Sequence, residues 1–116
     1  MNKMIFKILH FCRLIFSLII GVPFLTLTIF GNIIVFSFAY IVFILERDLN
    51  PSINEFIDAL WWSFATTTNV GYGDIVPITF EGKIIGIILM LIGVAIFGIY
   101  TALFARAIID DEVYMQ

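Results

Sequence analysis

Residues 66–74 read TTTNVGYGD: three threonines, an asparagine, two glycines and an acid among them, set between two of the most apolar stretches of the chain. The flanks place that run inside a membrane. Of 116 residues, 62% are hydrophobic and 13% charged, where soluble domains carry roughly 25% charged residues. One His and one Cys leave little material for a metal site, a thiol redox centre or a nucleophile and base pair, so an enzyme is not expected. Cys12 has no partner for a disulfide within the chain and reads as a small packing residue. A net charge of -3 points to neither a nucleic-acid partner nor an acidic tail.

Upstream, no charge occurs from Leu14 to Leu45. A single helix of that length would run to roughly 48 Å, well beyond a hydrocarbon core of about 30 Å. Gly21-Val22-Pro23 offers a break, because proline suits the first turn of a helix and disrupts its interior. A first spanning helix is therefore expected over residues 23–45, ending at Glu46-Arg47-Asp48. A second is expected over 84–106, since Ile84 to Ala105 is free of charge and bracketed by Lys83 and Arg106. The residues after it, 107–116, read as a short tail.

Residues 1–20 place Lys3, Lys7, His10 and Arg13 on one arc of a helical wheel and Ile5, Ile8 and Phe11 largely elsewhere. That pattern suits an amphipathic helix lying on the membrane surface. A signal peptide is the competing reading, but the apolar run is longer than the roughly 7 to 15 residues of such a segment. Positive charge near the N-terminus predicts that it faces the cytoplasm, and two spans bring the C-terminus back to the same side. The segment between the spans then faces outward, where Glu46, Asp48, Glu55 and Asp58 read as solvated loop acids that weakly attract cations.

Within that segment Ser52-Ile53-Asn54-Glu55 fits a capping box, and Ile53, Phe56, Ile57, Leu60 and Phe64 follow at helical spacing. The pattern predicts a helix over residues 52–67, too short to cross. A short apolar helix between two spans reads as re-entrant. Irregular backbone at that depth is tolerated only beside protein or a watery cavity, so residues 68–76 should line a pore.

TTTNVGYGD, preceded by Ala59-Leu60-Trp61-Trp62-Ser63 and followed by Ile75-Val76-Pro77, resembles the selectivity filter of potassium channels. The resemblance extends from about Asn54 to Ala105. It implies an all-α membrane protein with two transmembrane helices, a re-entrant pore helix and an extended filter at 68–74, assembled as a homotetramer in the cell membrane. It further implies that Thr68, Asn69, Val70, Gly71 and Tyr72 offer backbone carbonyls to K+ ions, which replace the ion's hydration shell as four loops surround one axis. Gly71 and Gly73 permit positive φ, so that successive carbonyls can be aimed at that axis. By the same resemblance Trp61, Trp62 and Tyr72 form an aromatic cuff, Asp74 accepts from the indole of Trp61, and Gly93 matches a gating hinge, with Gly98 a second candidate. Phe97, Thr101 and Ala105 recur at four-residue intervals and would face the cavity and gate. The small residues at Gly82 and Gly86, and at Gly98 and Ala102, also match close helix packing in membranes.

Two positions depart from the family pattern. Asn69 stands where threonine is usual, which leaves selectivity expected while the innermost ion site is reshaped by carboxamides. Ala65 stands where some relatives carry a glutamate, so Asp74 lacks that partner. The expected function is passive, selective K+ conduction without an organic substrate. The alternatives are a less selective cation pore, and a non-conducting subunit or pore fragment of a larger channel.

Overall fold

The computed structural model describes residues 2–115, with side chains as far as residue 113. Four helices follow one another: α1 (Lys3–Ile19), α2 (Val22–Glu46), α3 (Phe56–Thr67) and α4 (Phe80–Met115). The molecule is 60 Å long and 24 by 19 Å in cross-section. Both α2 and α4 are long and apolar enough to cross a membrane. The shorter α3 packs against both of them, and α1 makes lighter contact with each.

Local chemistry explains the boundaries. Asn2 caps α1 by accepting from the Met4 N–H at 3.2 Å. Gly21 in extended conformation separates α1 from α2, with Pro23 in the first turn of the new helix. The start of α3 corrects the sequence expectation: the helix begins at Phe56, not at residue 52. Ser52 donates its N–H to the Asn50 side chain at 2.9 Å, which holds it in a turn. Fully buried Ile53 pins the segment that follows. The cap lies one turn later, where the Asp58 carboxylate accepts from Asn54 N–H and Glu55 N–H, both at 3.0 Å. An acid there also complements the positive end of the helix.

The bounds of α4 differ from 84–106 at both ends. Thr79 caps it, its hydroxyl accepting from Gly82 N–H at 2.9 Å, so Glu81 and Lys83 lie in the first turn. At the other end the helix continues through residues expected as a tail, as far as Met115; Gln116 lies outside the described residues. Arg106 marks the end of the apolar run but not of the helix, because no Gly or Pro follows it. An exposed Arg106–Asp110 pair at 3.9 Å continues the helical face.

The core sits where α2, α3 and α4 meet. Gly31, Val35, Ala39, Val42 and Glu46 form a buried seam along α2. Val42 and Ala39 join Ile53, Ala59, Trp62 and Leu89 in one apolar cluster. Between helices in lipid, close packing and hydrogen bonds replace the hydrophobic drive. The buried Ser63 hydroxyl accordingly donates to the Val35 carbonyl at 2.8 Å, tying α3 to α2. Such a bond contributes about 0.6 kcal/mol, up to about 1.7.

Candidate functional site

The stretch that follows α3 has a backbone with alternating handedness. Among the described residues positive φ occurs at Asn69 (65°), Gly71 (62°) and Gly73 (78°), with Val70 and Tyr72 between them on the ordinary side. Paired right- and left-handed residues turn their N–H groups to one side, so the carbonyls emerge together on the other. A regular strand would alternate them. The run also folds back on the helix that precedes it: Asn69 N–H donates to Thr66 O at 3.2 Å and Gly71 N–H to Ala65 O at 2.9 Å. Thr67 and Thr68 donate their hydroxyls to Ser63 O (2.7 Å) and Phe64 O (2.6 Å) within the last turn of α3.

Side chains brace this backbone from one flank. The Trp61 indole donates to both Asp74 oxygens, at 3.2 and 3.0 Å. Its ring stacks on Tyr72, centroids 5.6 Å apart and planes within 14°. Trp61, Phe64, Ala65, Thr68, Val70 and Tyr72 line a shallow groove on that flank. Trp62 is placed differently. It is buried against α4, where a Cβ on Gly86 would come within 3.2 Å of its ring, so within one chain it fills the core and does not join Tyr72.

The end of this segment is anchored by a residue that reads from sequence as a loop acid. Glu46 is completely buried. Its Oε1 accepts from Ile78 N–H (2.9 Å), Thr79 N–H (3.0 Å) and the Thr79 hydroxyl (2.9 Å). Its Oε2 accepts from the Asn50 amide at 3.3 Å, and that amide also donates to Val76 O at 2.8 Å. Glu46 thus ties the end of α2 to the strip leaving the site and to the first turn of α4. No side chain fits at Gly82, whose Cβ would collide with the Glu46 carboxylate and approach Thr79 Oγ1 to 2.8 Å. One signal was available: Glu46 extends the seam of Val35, Ala39 and Val42 at helical spacing.

The glycines of α4 separate by environment. A Cβ on Gly93 would stand 2.6 Å from the carbonyl oxygen of Thr67 and 3.0 Å from its Cα, so α4 rests directly on the last turn of α3. Gly98 has nothing within 4 Å of its Cβ position. Phe97, Thr101 and Ala105 are all exposed, and the Thr101 hydroxyl donates to Phe97 O at 3.0 Å. Phe97 lies below the site, lining one cavity with Thr67, Thr68 and Ile96.

Comparisons with known proteins bear on the family and the fold. A family model described as "Ion channel" matches residues 24–110. A voltage-gated potassium channel of Aeropyrum pernix is 52% identical over 58 residues, covering 49% of this chain and 20% of that one. A cyclic nucleotide-gated potassium channel of Mesorhizobium japonicum is 33% identical over 85 residues, covering 72% of this chain and 24% of its own. The chain therefore spans between a fifth and a quarter of these two relatives. The crystal structure of a voltage-gated K+ channel pore module, in a closed state in lipid membranes, superposes with a TM-score of 0.58 at 37% identity. That match covers 70% of this chain and 85% of the other.

Proposed function

The chain belongs to the ion-channel family, and we propose that four copies of it surround a potassium-selective pore. One chain supplies one strip of carbonyls, and a dehydrated cation needs rings of them. The observation that carries this reading is the alternation of φ at Asn69, Gly71 and Gly73, a backbone in which successive carbonyls can be turned to one side of the strip. In the tetramer the strips from Thr68 to Tyr72 face the axis and K+ passes passively from ring to ring. Trp61, Tyr72 and Asp74 hold each strip from behind, and Gly73 permits the final turn. The C-terminal ends of four α3 helices, each with roughly half a negative charge, favour a cation in the cavity beneath. Phe97, Thr101 and Ala105 line the path below, and bending of α4 near Gly93 or Gly98 would widen it. The assembly lies in the cell membrane with α1 on its cytoplasmic surface and both termini on that side.

Asn69 favours a second reading, a pore of relaxed selectivity, because it alters the innermost ring. Ion flux into liposomes containing only the purified chain separates these: K+ flux far above Na+ flux supports the selective pore, and comparable fluxes support the relaxed one. Absence of flux from assembled protein would reject both and leave a non-conducting subunit or a pore that works only within a larger channel.

A further inference from the structure

Several polar side chains of the spanning helices and of α3 find partners within the chain. Thr28 shares a hydrogen bond with Tyr100 at 2.6 Å, Ser37 donates to Ile33 O at 2.7 Å, and Ser63 and Thr67 donate to backbone carbonyls. Asn32 is only half satisfied. Its Nδ2 donates to Thr28 O at 2.8 Å, whereas its Oδ1 accepts no hydrogen bond among the described residues, and the residue is exposed. It is the one carboxamide in α2 and the eleventh of that helix's 25 residues. At 1.5 Å per residue it stands about 15 Å from one end of α2 and about 21 Å from the other. In a hydrocarbon core of about 30 Å, water at neither surface comes within reach of so short a side chain. An amide oxygen left unpaired at that depth is costly.

The surroundings of Asn32 say what covers it. At 3.6 residues per turn it lies about 60° round the helix from the middle of the buried seam that runs through Gly31, Val35 and Ala39, beside that seam and not opposite it. One turn on, Phe36 meets the rings of Phe56 and Phe64 on α3, centroids 6.5 and 6.2 Å apart. Asn32 also lines a cavity of about 270 Å³ with Phe64, Thr68 and Phe97, all three exposed. Phe64 and Thr68 lead from that cavity into the groove beside Val70 and Tyr72. Asn32 therefore sits on an apolar edge continuous with residues 68–72.

We infer that this edge is where a second copy of the chain docks, and that the neighbour donates the hydrogen bond that Asn32 Oδ1 lacks. The inference rests on the reading of residues 68–72 as one strip of a shared pore, because strips that meet at an axis bring the edges beside them together. An apolar neighbour would fill the cavity and leave the oxygen unpaired. The docked surface thus presents an N–H or O–H at mid-membrane depth, in keeping with the use of asparagine as a polar tie between helices in lipid. A lone carboxamide in an apolar contact also fixes register, since sliding breaks its bond while apolar contacts re-form.

The test reads subunit dissociation in phosphatidylcholine bilayers by energy transfer between copies labelled at Cys12, the one cysteine and an exposed one. Wild type is compared with Asn32→Ala, Asn32→Leu and Asn32→Gln. Alanine and leucine are strong helix formers, so neither disturbs α2 itself, and they bracket asparagine in size. Both are expected to raise dissociation by at least about tenfold, because four such bonds are lost together, and glutamine is expected to restore part of the loss. Dissociation unchanged or lowered in the alanine and leucine variants overturns the inference, since a carboxamide facing lipid contributes nothing to assembly. Glutamine no better than alanine also overturns it, by assigning the effect to packing. A nitroxide at position 32, in a chain carrying Cys12→Ser, gives a second readout. Shielding from both oxygen and a water-soluble nickel chelate supports contact with protein; access to either one places the residue against lipid or water and overturns the inference. A wild type that assembles without K+ flux rejects the conduction reading and leaves these measurements in force, whereas a wild type that stays monomeric rejects both.

Discussion

The half of the molecule around the filter and the half that holds the termini are built on different principles. Buried residues run from Gly31 to Ile96, and none occurs in residues 2–30 or 97–113. Around the filter, α2, α3 and α4 share a close-packed interior in which Gly86 and Gly93 let backbone and rings meet without a side chain between them. In the terminal half the contacts are few and separate. Thr28 and Tyr100 share a hydrogen bond at 2.6 Å, Phe24 meets Tyr100 and Phe104 with centroids 4.9 and 5.9 Å apart, and His10 meets Asp111 at 3.0 Å. A packed interior resists deformation because every shift loses many contacts together. Separate clips can open one at a time. On the proposed reading as a pore, such a division suits a molecule that holds carbonyls still at one end and lets helices part at the other.

The comparison breaks most directly at Glu46. Removing an acceptor so that buried donors are left unsatisfied costs about 1–3 kcal/mol for each donor. Glu46→Ala strands the Ile78 and Thr79 N–H groups in a partly buried site. We expect it to lower the thermal unfolding temperature of the purified assembly more than any substitution in the terminal half. Glu46→Gln, which keeps an acceptor oxygen, should lie between it and wild type. An unchanged melting temperature for the alanine variant would show that the filter half does not depend on this anchor.

The next effect separates two glycines of one helix. Gly93→Ala presses a methyl group on the Thr67 backbone and should destabilise the assembly by about 1–3 kcal/mol, as overpacking does. Gly98→Ala meets open space. Within one chain it should stabilise α4 by about 1 kcal/mol through helix propensity. If Gly98→Ala also lowers channel opening in single-channel recording while Gly93→Ala acts on stability, the bend belongs at Gly98 and Gly93 is a packing residue. The reverse pattern would return the hinge to Gly93.

What could be read from the sequence divides along similar lines. In the strip after α3, the positive φ of Gly71 and Gly73 and the bond from Trp61 to Asp74 are as the family resemblance implied. Glu46 was not, because a charge closing an apolar run signals the end of a span whether it faces water or the core. Ser52 satisfied the local pattern of a helix start, yet the Asn50 side chain, fixed by its bonds to Glu46 and Val76, takes the Ser52 N–H first. That competition depends on tertiary contacts. Arg106 ended the apolar stretch of α4 but carried no information on where the helix stops. That Gly93 rests on the Thr67 backbone could be known only from the packing of α4 on α3.

The weakest effects belong to the clips. Tyr100→Phe removes one hydroxyl from the bond with Thr28 and keeps the ring against Phe24, so a loss of about 0.6 kcal/mol, at most about 1.7, is expected. The pair of His10 and Asp111 joins α1 to the end of α4 across 101 residues of sequence, with both side chains partly exposed. Lys7 on α1 and Glu112 on α4 line the same cavity, so the pair sits among other charges that share its field. A double-mutant cycle of His10→Ala and Asp111→Ala isolates its contribution from theirs. Partial exposure and screening predict a coupling below about 1 kcal/mol that shrinks further in high salt. A coupling of several kcal/mol that persists in salt would mean that the terminal half is held as firmly as the filter half. The distinction between a fixed end and a movable one would then fail, because α1 would have to move with α4 as a single body.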